Sequence, residues 1–197
     1  FSLDYRVKKL KIKNTVTFGH TKSKESPYGS FSDYTNLQPY DTPYKNGDLV
    51  KSLQYSLAGI TNLNNPLYEA TLSNYQWSAY DEVVDNLSVN WYLNDYLTLK
   101  GQFSVTKQYT SSENFYDPLS SKSSVLSATD GNTNLQGDLY TGKGTSLSWN
   151  TNAFLYYTRG FGKHNFNFSA GWQASAATSE NTSAHYRGFP SGQFSSL

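Results

Sequence analysis

Six stretches of this chain alternate apolar and polar residues, and they come in pairs. Within a pair the link is a turn of a few residues, whereas between pairs it runs to tens of residues. Side chains on a β-strand point to opposite faces with a period of two, so each stretch reads as an amphipathic strand and not as a helix. The clearest pair is Leu87-Ser88-Val89-Asn90-Trp91-Tyr92-Leu93 and, after Asn94-Asp95, Tyr96-Leu97-Thr98-Leu99-Lys100-Gly101-Gln102-Phe103-Ser104-Val105. A turn this short makes the two strands antiparallel neighbours. An all-β, antiparallel fold is expected.

The other stretches follow the same rule. Leu3, Tyr5 and Val7 oppose Asp4, Arg6 and Lys8. After a turn at Lys9-Leu10, Ile12, Val16 and Phe18 oppose Lys11, Lys13, Thr15 and Thr17. A fifth strand at about 146–158 aligns Leu147, Trp149, Ala153, Leu155 and Tyr157. After Gly160-Phe161-Gly162-Lys163, a sixth sets Phe166, Phe168, Ala170 and Trp172 against Asn165, Asn167, Ser169 and Gln173.

Composition narrows the partners. Apolar residues are 37% of the 197, yet aromatics reach 16%, with 17 Tyr, a balance that suits wet interfaces and ligand surfaces better than a thick core. The net charge is +1 and the charges are scattered, which argues against nucleic acid as a partner. The basic residues Arg6, Lys8, Lys9, Lys11 and Lys13 surround a turn and read as a solvated rim. Absence of Cys removes disulfides, zinc-thiolate sites and thiol nucleophiles. The chain opens in mid-strand pattern without Met, and an internal segment of a longer polypeptide is expected.

The second face of each strand decides the class. A soluble sandwich must hide its apolar side under another layer, and its strands usually run to about 5 or 6 residues. Here the strands read as roughly 12 to 16 residues, longer than that norm. Their polar faces are mostly Asn, Ser, Thr and Gln, which suits a hydrated lumen, while the aromatic and aliphatic faces suit lipid. No stretch could form a transmembrane helix, which needs about 18 apolar residues. The expectation is a segment of an antiparallel transmembrane β-barrel, with long loops on the extracellular side and short turns on the other. Lipid-facing candidates are Leu87, Val89, Trp91, Leu97, Leu99, Phe103, Val105, Leu147, Trp149, Leu155, Tyr157, Phe166, Phe168 and Trp172. Trp91, Tyr96 and Tyr157 stand beside short turns, where an interfacial girdle would fall. Transmembrane barrels need at least about eight strands, so further sequence is expected to complete the wall.

The first long connection, about 23–79, holds Ser26-Pro27-Tyr28-Gly29-Ser30-Phe31-Ser32-Asp33-Tyr34, then Leu37-Gln38-Pro39-Tyr40-Asp41-Thr42-Pro43-Tyr44, and then Asn64-Asn65-Pro66-Leu67-Tyr68-Glu69-Ala70. These stretches, with Phe161-Gly162-Lys163-His164-Asn165, resemble those of SusC/RagA-like TonB-dependent outer-membrane transporters. The resemblance spans the whole chain but only part of such a protein. It implies a 22-stranded barrel in the outer membrane of a Gram-negative cell and a plug, absent from this chain, through which TonB acts. It also implies a SusD-like surface lipoprotein as lid, and an oligosaccharide or, in some members, a peptide as cargo.

Tyr and Trp rings stack on sugar C–H faces while Asn, Asp and Gln bond hydroxyls, and the first connection mixes both types. Tyr28, Tyr34, Tyr40, Tyr44 and Trp77 are candidates for contact with cargo or lid. The competing use of each is to pack the loop itself, with Pro39, Pro43 and Pro66 stiffening it.

Enzyme chemistry finds no foothold. Asp130-Gly131-Asn132-Thr133-Asn134, in a second connection at about 110–144, has Leu135 where a calcium loop needs Gly. Asp81 and Asp85 share a face while Glu82 takes the other, and His20, His164 and His185 form no HExxH arrangement. There is no G-x-S-x-G, P-loop or dinucleotide motif, so neither an enzyme nor a cofactor is expected. The rivals to an importer are a surface or secreted β-sandwich that binds carbohydrate through Tyr-rich loops, and a non-transporting barrel such as an adhesin.

Overall fold

The tightest turn sets the pattern. Val7 pairs with Leu10 and Tyr5 with Ile12, so the turn is Lys8-Lys9, one residue earlier than the alternation suggests, with Lys8 at φ 48°. The computed structural model describes residues 1–26, 29, 31–35, 37, 42–54, 63–123 and 136–193. Their elements, in chain order, are β1 (Ser2–Val7), β2 (Leu10–Lys24), α1 (Phe31–Thr35), β3 (Tyr44–Lys45), β4 (Asp48–Leu49), β5 (Ser52–Gln54), β6 (Leu63–Asn64), α2 (Pro66–Glu69), β7 (Tyr75–Tyr92), β8 (Leu97–Tyr116), β9 (Asp138–Phe161) and β10 (His164–Arg187).

Six of these form one sheet in the order β1-β2-β7-β8-β9-β10, a meander in which each strand lies beside the next long strand of the chain. The cross-links run in opposite directions along the chain: Tyr92 N to Lys9 O and Glu25 N to Gln76 O tie β7 to β2 antiparallel. The all-β antiparallel expectation therefore holds. The first connection folds into two small hairpins, β3-β4 and β5-β6, with α1 and α2 beside them in sequence. Asn46 (φ 54°) and Gly47 (φ 94°) make the β3-β4 link a mirror-image turn, the kind that matches strand twist.

The long strands outrun the sequence reading. β7 has 18 residues, β8 has 20, and β9 and β10 have 24 each, so what read as loop at 75–79, 110–116 and 138–144 is strand. In two of those extensions, Thr110-Ser111-Ser112 and Thr141-Gly142-Lys143-Gly144 carry no apolar alternation. The hydrogen-bond ladder continues regardless, because pairing with a neighbour does not depend on side-chain polarity.

The chain divides into two compact units. Unit 1 comprises Phe1–Thr21, Tyr80–Thr110 and Gly144–Asn181, and not one of its residues is buried. Its faces are sorted by strand register. Leu3, Tyr5 and Val7 pair with even-numbered residues of β2. Asn14 and His20 of β2 meet Asp85 and Asp81 of β7 at 2.6 and 2.5 Å, joining even β2 positions to odd β7 positions. Asn152 donates to Gln102 across β8 and β9, and Gly171 of β10 sits against the Phe154 ring of β9. By that register Ile12, Val16 and Phe18 share a face with Val83, Leu87, Val89, Trp91, Leu97, Leu99, Phe103 and Val105, and the polar pairs Asn14–Asp85 and His20–Asp81 lie on the same face. Leu147, Trp149, Leu155, Tyr157, Phe166, Phe168 and Trp172 continue it. Phe168 is 61% exposed, Trp172 57%, Trp91 47% and Phe103 43%. The opposite face presents Ser88, Asn90, Thr98, Gln102, Ser104, Asn152, Asn167 and Gln173, with Phe154 and Tyr156 among them.

Unit 2 comprises Lys22–Ala79, Ser111–Lys143 and Thr182–Leu197, and every buried described residue belongs to it. Phe115, fully buried, stacks on Tyr75 at 5.5 Å and meets Phe189 edge-on at 5.3 Å. Gly137, at φ 84°, makes this packing possible: a Cβ there would lie 2.9 Å from Phe189 Cβ and 3.0 Å from Pro118 Cγ. Replacing Gly137 by Ala combines backbone strain with a steric clash and is expected to destabilise unit 2 by about 2–4 kcal/mol. Urea titration followed by Tyr and Trp fluorescence checks this, with Gly162→Ala as comparison, because Gly162 (φ 62°) has nothing within reach of a Cβ and should lose only the backbone share.

Candidate functional site

Unit 2 is held by polar groups more than by a hydrophobic core. The short helix α2 shows how. Asn65, fully buried, is its N-cap: its side-chain oxygen accepts from Leu67 N at 3.1 Å, and its amide donates to Val50 O at 2.7 Å and Pro43 O at 3.0 Å. Pro66 follows at the first helical position, where its missing N–H and fixed φ are assets. Glu69 at the helix end accepts from Ser120 Oγ, Asn74 Nδ2, Ser121 N and Ser121 Oγ. Asp117 accepts from Leu119 N at 2.9 Å and Ser73 N at 3.2 Å, while its own N–H reaches Asn74 Oδ1 at 2.8 Å. The Asn65-Pro66-Leu67-Tyr68-Glu69 motif is thus a clamp that joins the first connection to the turn after β8.

A second polar cluster lies at the ends of β9 and β10. Asp138 has a fully buried side chain, and its Oδ1 accepts from His185 Nε2 at 2.7 Å and faces Arg187 Nε at 3.3 Å. Its Oδ2 is buried and has no hydrogen-bond partner among the described residues. Tyr140, two residues on, stacks on the His185 ring at 4.1 Å and 10°, and Tyr116 of β8 meets Tyr140 edge-on at 6.3 Å. Asn114 donates to the Tyr116 hydroxyl at 3.0 Å, and the Lys122 ammonium lies 5.6 Å from the Tyr116 ring centre. Strand register explains the grouping: Tyr116, Asp138 and Tyr140 are even positions of β8 and β9, and His185 and Arg187 are odd positions of β10, the combination that carries the polar face of the sheet.

Burial pushes the Tyr140 hydroxyl above the ordinary tyrosine range, reinforced by the Asp138 charge and Tyr116 and opposed by Arg187. Tyr68 is raised as well, first by burial and then by Glu69 and Asp117. Both groups therefore favour the neutral form in the folded state.

The residues singled out from the sequence are spread out. Tyr28 and Tyr40 lie outside the described residues, as do Pro27, Pro39 and the Asp130-to-Asn134 stretch. Tyr34 is in α1 and Tyr44 in β3, the latter 53% exposed. Trp77 is in β7, an odd position on the apolar-face parity, with Lys22 Nζ 5.1 Å from its ring centre. Tyr116, Tyr140 and His185 were not anticipated, although each stands in an alternating stretch. Nothing in sequence spacing joins 116, 140 and 185; only the pairing of β8, β9 and β10 does. Asp81 and Asp85 share a face, each with its own partner, His20 and Asn14, and Glu82 lies on the other. Among the described residues no group of three or more His, Asp or Glu is arranged to hold a metal ion.

No protein-family model matches the chain, and no curated protein is significantly similar to it. The functional argument therefore rests on the sheet and on the cluster.

Asp138→Asn is expected to cost about 3–5 kcal/mol, because it removes the charge of the fully buried member of the Asp138–Arg187 pair. Chemical denaturation at neutral pH measures it, and Asp95→Asn in the exposed turn serves as the reference. The raised hydroxyls give a pH dependence. A group whose folded pKa lies above its unfolded value of about 10 stabilises below that pH, and the contribution disappears as pH climbs through the folded value. A Tyr68→Phe/Tyr140→Phe variant should therefore lose less stability than the parent between pH 10 and pH 12, read from thermal melts at each pH.

Proposed function

We propose that this chain forms wall and outer loops of an outer-membrane β-barrel importer of the SusC/RagA-like, TonB-dependent kind. The observation that carries this reading is the face of unit 1 on which six strands gather Leu, Val, Phe and Trp side chains without burying one of them. Leaving such a side chain wet forfeits about 1.5–3 kcal/mol each, and soluble monomers rarely expose contiguous apolar patches beyond a few hundred Å². A bilayer removes the penalty, and the polar opposite face is then a hydrated lumen.

Dimensions agree with a membrane. On β8 the apolar-face residues run from Leu97 to Val105; at about 3.3 Å per residue and a tilt of about 40° that is about 20 Å of height, near the ~25 Å apolar band of outer-membrane barrels. Aromatic residues flank it within unit 1. Arg159 lies between Tyr96 and Phe161 at 4.6 and 4.7 Å beside the short turns, and at the far end Lys107 approaches Tyr109 at 5.3 Å. Rings with a cation at the edge of an apolar band suit the headgroup level.

In this reading the chain does no covalent chemistry. Apolar residues hold the wall in lipid, amides and hydroxyls line a wet path, and the polar-cored connections stand outside to meet cargo and a SusD-like lid. The remaining wall, the plug and the TonB contact belong to sequence beyond this chain. The cargo is an oligosaccharide, since the outer connections set aromatic rings among amide and hydroxyl groups.

Leu99→Arg or Val89→Lys should each cost about 2–4 kcal/mol of folding in lipid vesicles, whereas Gln102→Lys on the opposite face should be tolerated. Heat-modifiable mobility on gels after refolding into vesicles measures the folded fraction. A protein that is soluble, monomeric and cooperatively folded without detergent or lipid would overturn the reading.

A further inference from the structure

Three short turns close one edge of unit 1: Lys8-Lys9, the link from Tyr92 to Leu97, and Gly162-Lys163. Beside the last two stands Arg159, an odd position of β9 and so on the apolar-face parity. We propose that Arg159 and the rings around it form a binding site for the phosphate group of an anionic phospholipid, a proposal that rests on the membrane-wall reading above.

The guanidinium is held in place by rings and left open to an outside anion. Thr158 N donates to Tyr96 O at 2.8 Å, which brings the start of β8 alongside the end of β9. Arg159 Cζ lies 4.6 Å from the centre of the Tyr96 ring and 4.7 Å from that of Phe161, and Phe161 meets Phe166 edge-on at 5.7 Å. Ring faces attract the cation and restrict its long side chain, but they leave the N–H donors along the edge of its plane available. Arg159 is exposed, and among the described residues it has no ion-pair partner, in contrast to Arg187, which faces Asp138 at 3.3 Å. A planar fork of donors that is already oriented and not neutralised fits two oxygens of one phosphate, and orientation before binding lowers the cost of capture.

Two further observations identify the ligand as a lipid. The guanidinium adjoins apolar surface: Phe166 is 57% exposed, and Phe168 and Trp172 follow it on the same face of β10. An acyl chain attached to the phosphate has a run of rings to lie along, which a free phosphate ion cannot use. The edge is also positive. Lys8, Lys9 and Lys163 stand in the turns against the carboxylate of Asp95, and Arg159 adds a fourth cation. A headgroup with net negative charge is favoured there over one whose own ammonium cancels its phosphate.

The test is isothermal titration of the protein in neutral maltoside micelles with dioctanoylphosphatidylglycerol, dioctanoylphosphatidylcholine and inorganic phosphate, each corrected for its titration into empty micelles. The phosphatidylglycerol should bind saturably, about tenfold more tightly than either other probe. Arg159→Gln should weaken it about tenfold and erase the preference, and Arg159→Lys, which keeps the charge and loses the fork, should weaken it about threefold. Lys100→Gln removes a cation from the opposite face of the sheet, beside Tyr156, and should leave the affinity unchanged. Near-ultraviolet circular dichroism establishes that each variant is folded. The proposal is overturned by no saturable binding of phosphatidylglycerol, by inorganic phosphate binding as tightly, by unchanged affinity in Arg159→Gln, or by an equal loss in Lys100→Gln. Insertion of the same protein into vesicles is measured separately. Normal insertion without selective lipid binding sinks the site alone, and selective binding by a protein that does not insert sinks the membrane-wall reading alone.

Discussion

The structure depends on one geometric match: the number of residues in each short turn agrees with the parity of the apolar positions on either side. A strand side chain changes face with every residue, so a slip of one would move a whole set of Leu, Val and Phe to the wrong side. Lys8-Lys9 joins β1 to β2 through two residues, and odd positions before it face the same way as even positions after it. Between β7 and β8, Asn94 N donates to Leu97 O and the Asn94 side chain accepts from Tyr96 N, and the contacts of Tyr75 with Glu113 and Phe115 show that odd positions stay with odd positions. Gly162-Lys163 again exchanges parity between β9 and β10. The result is that the Leu, Val, Phe and Trp side chains of all six strands gather on one face, interrupted on β2 and β7 by Asn14–Asp85 and His20–Asp81.

The two units solve the burial problem by different means. In unit 1 no residue is buried, so its stability in isolation would have to come from the backbone ladder and cross-strand pairs worth a few tenths to one kcal/mol each. The apolar side chains of that unit gain no burial against one another. Unit 2 does bury side chains. Its buried residues include Asn65, Ser120, Ser123 and Asp138 beside Phe115 and Leu139, and the carboxylates of Glu69 and Asp117 accept several bonds each. A buried polar group unsatisfied costs about 1–3 kcal/mol, while a satisfied one fixes a single arrangement. Polar connections that must hold a shape in water are well served by such a network.

Much of this was legible in residue order. The alternation from Leu87 to Val105 identifies β7, β8 and the turn between them, and the apolar parity of every long strand follows from residue order. The strand ends were not legible: Thr110-Ser111-Ser112 and Thr141-Gly142-Lys143-Gly144 have no apolar alternation, and only a paired neighbour makes them strand. The β3-β4 hairpin had a signal that went unread, Asn46-Gly47, which favours a mirror-image turn whatever surrounds it. Tyr residues are dense in the first connection, yet the Tyr116–Tyr140–His185 group lies on β8, β9 and β10.

What the sequence by itself determined is the two-faced character of the long strands, because side-chain alternation along a strand is a local property of the backbone. It also determined the α2 clamp's ingredients, since an N-cap Asn followed by Pro works within one turn of chain. What only the tertiary structure decided is which distant residues meet: Asp138 with His185 and Arg187, Tyr116 with Tyr140, Glu69 with Ser120 and Ser121. Those meetings are set by strand order and register across connections of tens of residues, and no local rule of propensity or spacing carries that information.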